Sequence, residues 1–417
     1  MKINFNKYIN YLIVLFAFVF PLSLAGANIV LGLILLLWIA ERNFKNKFNI
    51  LKNDKILLSI LGIVVFITLS TLFSSHYNQG FLINSGLKNE FDFVGKHLLW
   101  EIVLYIVGIT SINKEFINKI ISAFLIAMFI NELISYSVFF HLIDINYFKS
   151  IGLLYRDIKY YDPSPMQHSF YSMYLAITIL ILLDRFLKHK DKLLLKIGIF
   201  LFLLSATTNL FINGGRTGQL AVILGLFIYF ILYFKNSYKK LLSSFLIIFI
   251  VLGIAYKFSP IFQKRMNQSK NSIRTVINNQ NYCSSWGQRV GMNIVGFNFL
   301  FSTPRNFIFG PGAGIAKKEY LKYGDKNYKK IFHCFKNTIH LHNQFLQLWV
   351  DGGIFAFLLM LYLFYNLARL KTDIFALQYS LLIVFVFSFV SDIMFYRSQT
   401  YMLFCFIILF IQLHRKF

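Results

Sequence analysis

Along the chain, apolar runs of about 17 to 25 residues alternate with short polar connections, the length that crosses a bilayer as a helix. The pattern predicts spans near 8–24, 26–41, 56–74, 93–110, 119–142, 167–188, 194–212, 216–234, 240–258, 344–367, 374–393 and 398–413. Lipid offers the backbone no hydrogen-bond partner, and the runs are not alternating strands of about ten residues, so the expected spans are helices and the expected fold class is all-α, with about twelve transmembrane helices. The expected organisation is 1–258 as helices one to nine, 259–343 as a large polar segment with short helices, and 344–417 as helices ten to twelve. The first run, followed by SLAGA, has the parts of a cleavable leader. A second apolar run from Asn28 follows at once, which favours a helical hairpin turning at Pro21 to Ala27.

Composition agrees: 57% hydrophobic and 18% aromatic residues, with mean hydropathy +0.61, exclude an ordinary soluble domain. Charge then orients the helices. Lys and Arg follow the even-numbered spans (Arg42 to Lys55, Arg185 to Lys196, Lys235 to Lys240, Arg369 and Lys371, Arg415 and Lys416), so these ends and both termini are expected in the cytoplasm. The opposite face receives the 76–92 and 143–166 loops, the Asn213 to Arg216 turn, the 259–343 segment and the Tyr396–Arg397 turn. Residues 259–343 carry 13 Lys or Arg against Glu319 and Asp325, nearly half of the formal +25. Long segments are exempt from the orientation rule. The excess suits anionic lipid headgroups or an anionic substrate, and nucleic acid is not expected outside the cytoplasm. The overall Asn, Lys, Ile and Phe richness blunts any composition-based reading of single lysines.

Candidate chemistry gathers at the outer ends of spans. His168 opens span six in PMQHSFYS, Arg216 opens span eight in NGGRTG, Arg289 lies in SSWGQRVG, and His340, His342 and Asn343 open span ten in HLHNQF. Arg216 follows Gly214 and Gly215 at a helix start, where free N–H groups and the dipole favour an anion; the plain reading is an arginine snorkelling to the interface. Arg289 reads either as a solvated charge in a basic loop or, beside Trp286, as part of a site. His340 and His342 lack further ligands at a recognisable metal spacing, leaving a structural role with Asn343 as N-cap or a catalytic imidazole. Gly310, Gly312 and Gly314 lack the strand–helix context of a nucleotide loop and read as a turn. Glu101, Glu132 and Asp351 fall inside spans, where a charge is costly unless paired. Cys405 reads as a small core residue, while Cys283 and Cys334 share the polar segment and pair only in an oxidising compartment.

Taken together, His342-Asn343 followed by Gly353 and Ala356, RTG at Arg216, the SxxGxR arrangement around Ser285, from Ser284 to Arg289, and FGPGAG resemble the O-antigen ligase family and its polymerase relatives, over roughly 160–400. The resemblance implies a metal- and cofactor-independent, inverting glycosyltransferase of the GT-C type in the bacterial inner membrane, with its site on the periplasmic face. Such enzymes move a glycan from undecaprenyl pyrophosphate to a sugar hydroxyl of the lipid A core. Carried over, Arg216 and Arg289 hold the pyrophosphate and His342 acts as general base or orients the acceptor; His340, Asn343, His168 and Arg397 are neighbouring candidates. Ala356 departs from the glycine usual there. The alternatives are an O-antigen polymerase, an oligosaccharyltransferase acting on protein and, from another class, a polysaccharide transporter or flippase. The transporter is disfavoured because no half-repeat is visible.

Overall fold

In the computed structural model, which describes residues 4–72, 94, 98–144, 147, 163–188, 193–336 and 340–416, the fold is all-helical. Among the described residues the only β pairing is a single bridge between Thr372 and Arg415. The 76–92 loop, most of the 143–166 loop, Lys190, Lys192 and the start of the fourth expected span lie outside the described residues. In chain order the helices are α1 (Phe5–Val19), α2 (Leu24–Ala40), α3 (Phe44–Leu51), α4 (Lys55–Leu72), α5 (Val103–Ser111), α6 (Ile117–Phe139), α7 (His168–Lys188), α8 (Leu193–Ile212), α9 (Arg216–Tyr233) and α10 (Tyr238–Phe258). The polar segment contributes α11 (Pro260–Asn279), α12 (Ser285–Leu300), α13 (Pro304–Ile308), α14 (Ala313–Asn327) and α15 (Lys329–Phe332). The chain closes with α16 (Gln344–Arg369), α17 (Phe375–Ser391) and α18 (Ser398–Leu413).

Seven of the described helices are long and apolar enough to cross a membrane, or eight if α2 and α3, bent by 117° at the basic Arg42–Asn43 junction, count as one span. Helices α1, α17 and α18 are apolar but shorter, and the fourth expected span is represented by α5 alone. This is the architecture of a polytopic membrane protein. The most enclosed helices are α7, buried continuously from Ser169 to Asp184, and α18, buried from Thr400 to Ile411. Around them pack the aromatic side chains of Phe20, Phe124, Tyr174 and Phe406, with ring centroids 5.1 to 6.4 Å apart. Offset and edge contacts of this kind add to the burial of large rings.

The 259–343 segment is more helical than expected, since α11 alone has 20 residues. Its apolar core (Met292, Phe299, Tyr320, Phe332, Phe335) is continuous with Leu346, Trp349 and Val350 of α16, so the polar segment is seated on the start of α16. Helix α16 is broken there: Gly353 has φ 74° and ψ −175°. The glycine-rich turn after α13, with φ 69° at Gly310 and 91° at Gly312, fits into the break. A Cβ on Gly353 would lie 2.1 Å from the Ile308 carbonyl oxygen, and one on Gly310 would lie 2.4 Å from that of Val350. The Trp349 indole N–H donates to the Phe307 carbonyl at 2.8 Å. Ala356, the departure from the family pattern, is fully buried. Gly353→Ala is expected to destabilise the protein by more than about 3 kcal/mol, because it combines an unfavourable φ with a backbone clash. A lowered thermal midpoint in detergent checks this, with Gly198→Ala, which meets open space, as the neutral control.

Candidate functional site

The turn between α8 and α9 is held from within. The buried Asn213 amide donates to the Asn209 backbone and side-chain oxygens, both at 2.8 Å, and accepts from the Ser164 hydroxyl at 2.5 Å. Its carbonyl accepts from the Gln219 amide at 3.0 Å. Glycine follows because α7 leaves no room: a Cβ on Gly215 would lie 2.3 Å from Ser172 Oγ and 2.4 Å from the His168 carbonyl oxygen. The Ser172 hydroxyl also accepts from the Gly218 N–H at 3.2 Å. The turn therefore presents Arg216 at the first residue of α9 in one defined position.

Above it, Arg216 donates to Ser269 Oγ at 3.1 Å and to Ser285 Oγ at 3.4 Å, and Arg289 donates to the same Ser285 hydroxyl at 3.4 Å. Arg265 of α11 lies over Gly214, whose Cβ, if present, would come within 2.7 Å of its Nη2. Arg216, Arg265 and Arg289 line one cleft of about 630 Å³ with His168. No described carboxylate lines it. The Arg289 Nε–H is buried without a hydrogen-bond partner among the described residues. Three guanidinium groups gathered with no described carboxylate in the lining repel one another, and an anion rich in acceptor oxygens relieves that repulsion and supplies the missing acceptors.

The histidines form a second cluster. Asn343 is the N-cap of α16, its side-chain oxygen accepting from Phe345 and Leu346 N–H at 3.1 and 3.2 Å. His342 stands just before it in the left-handed region, φ 49°, and its Nδ1 lies 3.0 Å from Asp392 Oδ1. A carboxylate there favours the tautomer with the proton on Nδ1 and leaves Nε2 as an acceptor. Asp392 follows the end of α17; burial pushes its carboxyl up, but the His342 hydrogen bond and charge, the Ile393 N–H and the Arg289 charge bring it below the ordinary value. Through that charge, Arg289 links the two clusters, although His342 does not line the arginine cleft.

The connection from Asp392 to Arg397 is fastened to α16. The Phe395 N–H donates to Gln344 Oε1 at 2.8 Å. Asp351 accepts from Gln347 Nε2 at 3.0 and 3.1 Å and from the Tyr396 hydroxyl, so this intramembrane acid serves as an anchor for the connection. The His340 ring lies against Tyr396, centroids 5.2 Å apart. Burial, then the charges of Arg397 and His342, push its pKa down to about 4. In the unfolded chain His340 takes up its proton near pH 6.5. Stability from the neutral, buried ring is therefore whole above about pH 6.5 and is lost as pH falls toward 4, by on the order of 2–3 kcal/mol. The thermal midpoint of His340→Gln is expected to fall less than that of the unsubstituted protein over this window.

Cys283 and Cys334 are joined in a disulfide across 51 residues. It ties the start of α12, with Ser285 and Arg289, to the segment leading to His340. His333 Nε2 is 3.5 Å from each sulfur, but with the sulfurs bonded to each other the group offers no thiolate pair to a metal.

Of the residues expected at the site, the structure groups Arg216, Arg289 and His168 in the cleft and puts His340, His342, Asn343 and Arg397 around the start of α16. Arg265 and Asp392 were not anticipated. Arg265 was signalled weakly by the polar spacing Arg265, Gln268, Ser272, Thr275 on one face of α11. Asp392 was signalled by a lone acid at a span end, five residues from the candidate Arg397.

Comparison with known proteins gives the O-antigen ligase family as a match to residues 199–361. The matched region holds Arg216, Arg265, Arg289, His340, His342, Asn343 and Gly353. The family resemblance read from the motifs is thereby borne out. A Haemophilus influenzae protein described as uncharacterized is 28% identical over 237 residues, 54% of this chain and 57% of that protein. An Escherichia coli K12 protein described as an O-antigen ligase is 28% identical over 172 residues, 40% of each chain. The chain thus spans 57% and 40% of these two relatives.

Proposed function

We propose, from the premise that residues 199–361 match the O-antigen ligase family, that this protein is an O-antigen ligase of the bacterial inner membrane. It crosses the membrane about twelve times in a GT-C arrangement, with both termini cytoplasmic and residues 259–343 as a periplasmic segment between helices nine and ten. The donor is a glycan on undecaprenyl pyrophosphate and the acceptor a sugar hydroxyl of the lipid A core. The observation that carries this reading is the cleft where Arg216, Arg265 and Arg289 converge without a described carboxylate. The Cys283–Cys334 disulfide supports an oxidising, extracytoplasmic side for the same segment.

In the proposed reaction the arginines hold the pyrophosphate, with His168 at the rim. The acceptor hydroxyl oxygen attacks the anomeric carbon from the face opposite the leaving group, its proton passes to His342 Nε2, and the bond from that carbon to the phosphate oxygen breaks. Undecaprenyl pyrophosphate departs with its added negative charge on the guanidinium groups, and the anomeric configuration inverts. The leaving group is already good, so cationic stabilisation, orientation and base assistance are the protein's contribution. Asp392 holds the imidazole with its proton on Nδ1 until Nε2 takes up the acceptor's proton, and then faces the imidazolium.

Inactivating the gene in its host is expected to leave long glycans on undecaprenyl pyrophosphate and an unsubstituted core. Single repeat units on the core would indicate a polymerase instead. Unchanged lipopolysaccharide with both lipid pools normal would overturn both.

A further inference from the structure

At the end of the bundle opposite the arginine cleft, α6, α7 and α8, with the start of α17 and the end of α18, enclose a groove of about 850 Å³. Its inner end is closed where Phe129 and Phe202 meet edge-on, centroids 5.3 Å apart. Beside them Gly198 faces open space, with nothing within 4 Å of where a Cβ would stand. The walls open sideways through apolar side chains, among them Ile126 at 55% and Leu195 at 43% exposure, as suits a groove that admits a hydrocarbon chain from the surrounding bilayer.

The mouth carries both signs of charge: Arg185 and Lys188, Asp184 and Asp373. Asp184 is engaged by Lys188 at 3.0 Å and by the Tyr229 hydroxyl at 3.0 Å. Among the described residues Arg185 donates to Ser122 Oγ at 3.1 Å and to the Asn118 carbonyl at 3.4 Å, which leaves part of its five-donor fork for a ligand. Asp373 is exposed and has no side-chain partner among the described residues. A guanidinium with unfilled donors and a carboxylate without a side-chain partner, both among the described residues, at the head of an apolar groove match a headgroup bearing a phosphate and an ammonium. A purely anionic headgroup would add an uncompensated charge to a mouth whose described Arg185, Lys188, Asp184 and Asp373 side chains balance.

We propose that this groove binds one zwitterionic phospholipid, a phosphatidylethanolamine, with its phosphate on Arg185, its ammonium on Asp373 and one acyl chain between α6 and α8. The site is separate from the glycan chemistry: Arg185 lies 17 residues along α7 from His168, about 26 Å. The bound chain fills the space between α6 and α8 that the protein leaves open.

Native mass spectrometry of the full-length protein, extracted from vesicles of equal parts phosphatidylethanolamine and phosphatidylglycerol, tests this. The unsubstituted protein is expected to retain one phosphatidylethanolamine. Gly198→Phe, whose ring enters open space, is expected to retain about tenfold less, as displacing a couple of methylenes from the groove implies. Asp373→Asn is expected to lose the preference over phosphatidylglycerol. Equal retention by Gly198→Phe, or preferential retention of phosphatidylglycerol by the unsubstituted protein, would overturn the proposal. The headgroup preference of the unsubstituted protein decides even if a variant fails to fold.

Discussion

His342→Ala is expected to lower glycan transfer by about a hundred- to ten-thousand-fold, the range over which a positioned general base acts, with the protein still inserted at its normal level. The expectation rests on geometry: Nδ1 faces Asp392 at 3.0 Å, and the left-handed backbone at φ 49° turns the ring out just ahead of the Asn343 cap. Asp392→Asn leaves a hydrogen-bond acceptor but removes the charge that favours the Nδ1–H tautomer and stabilises the imidazolium formed on proton uptake, so a smaller loss, about ten- to a hundred-fold, is expected. Transfer measured in vesicles with lipid-linked donor and purified core acceptor separates the two. Normal rates in His342→Ala would remove the residue from the mechanism. Normal rates in Asp392→Asn alone would leave the base but refute its orientation by the carboxylate.

The second large effect belongs to the arginines. Arg216→Ala is expected to reduce transfer by about a hundred- to a thousand-fold, as loss of one preorganised donor to a developing oxyanion does. Arg216→Lys is expected to restore little, because a point charge cannot bridge both Ser269 and Ser285 as the guanidinium does. Arg289→Ala and Arg265→Ala should each weaken inhibition by inorganic pyrophosphate as well as transfer. Ser285→Ala, which removes only a shared hydroxyl acceptor, should change both modestly. Unaltered pyrophosphate inhibition in all three arginine variants would place the donor's phosphates elsewhere.

Much of this molecule was legible before any coordinates because the constraints involved are local. A helix that must satisfy its own backbone in lipid announces itself as a long apolar run; α7, α8, α9 and α10 lie where the pattern put them. Asn343 was readable as a cap because capping joins neighbours. The glycine-rich stretch at Gly310 was readable as a turn, though not as the piece that seats in the break at Gly353. That break was hidden because the Gly352–Gly353 pair in an apolar run is compatible with a continuous helix, and only the backbone packed against Gly353 makes its positive φ necessary.

The same division runs through the site. From residue types and spacing alone come the helical membrane fold, the concentration of positive charge in 259–343, and the candidacy of Arg216, Arg289 and His342 at span ends. What depended on the folded chain is which of them meet: Arg265 joining Arg216 and Arg289 across the Gly214 turn, Asp392 reaching His342 over 50 residues of sequence, and Asp351 serving as an anchor for Tyr396. The reason is physical. Hydropathy and capping act within a helix or a turn and leave a periodic trace, whereas a hydrogen bond between helices is set by how those helices cross, which no local pattern records.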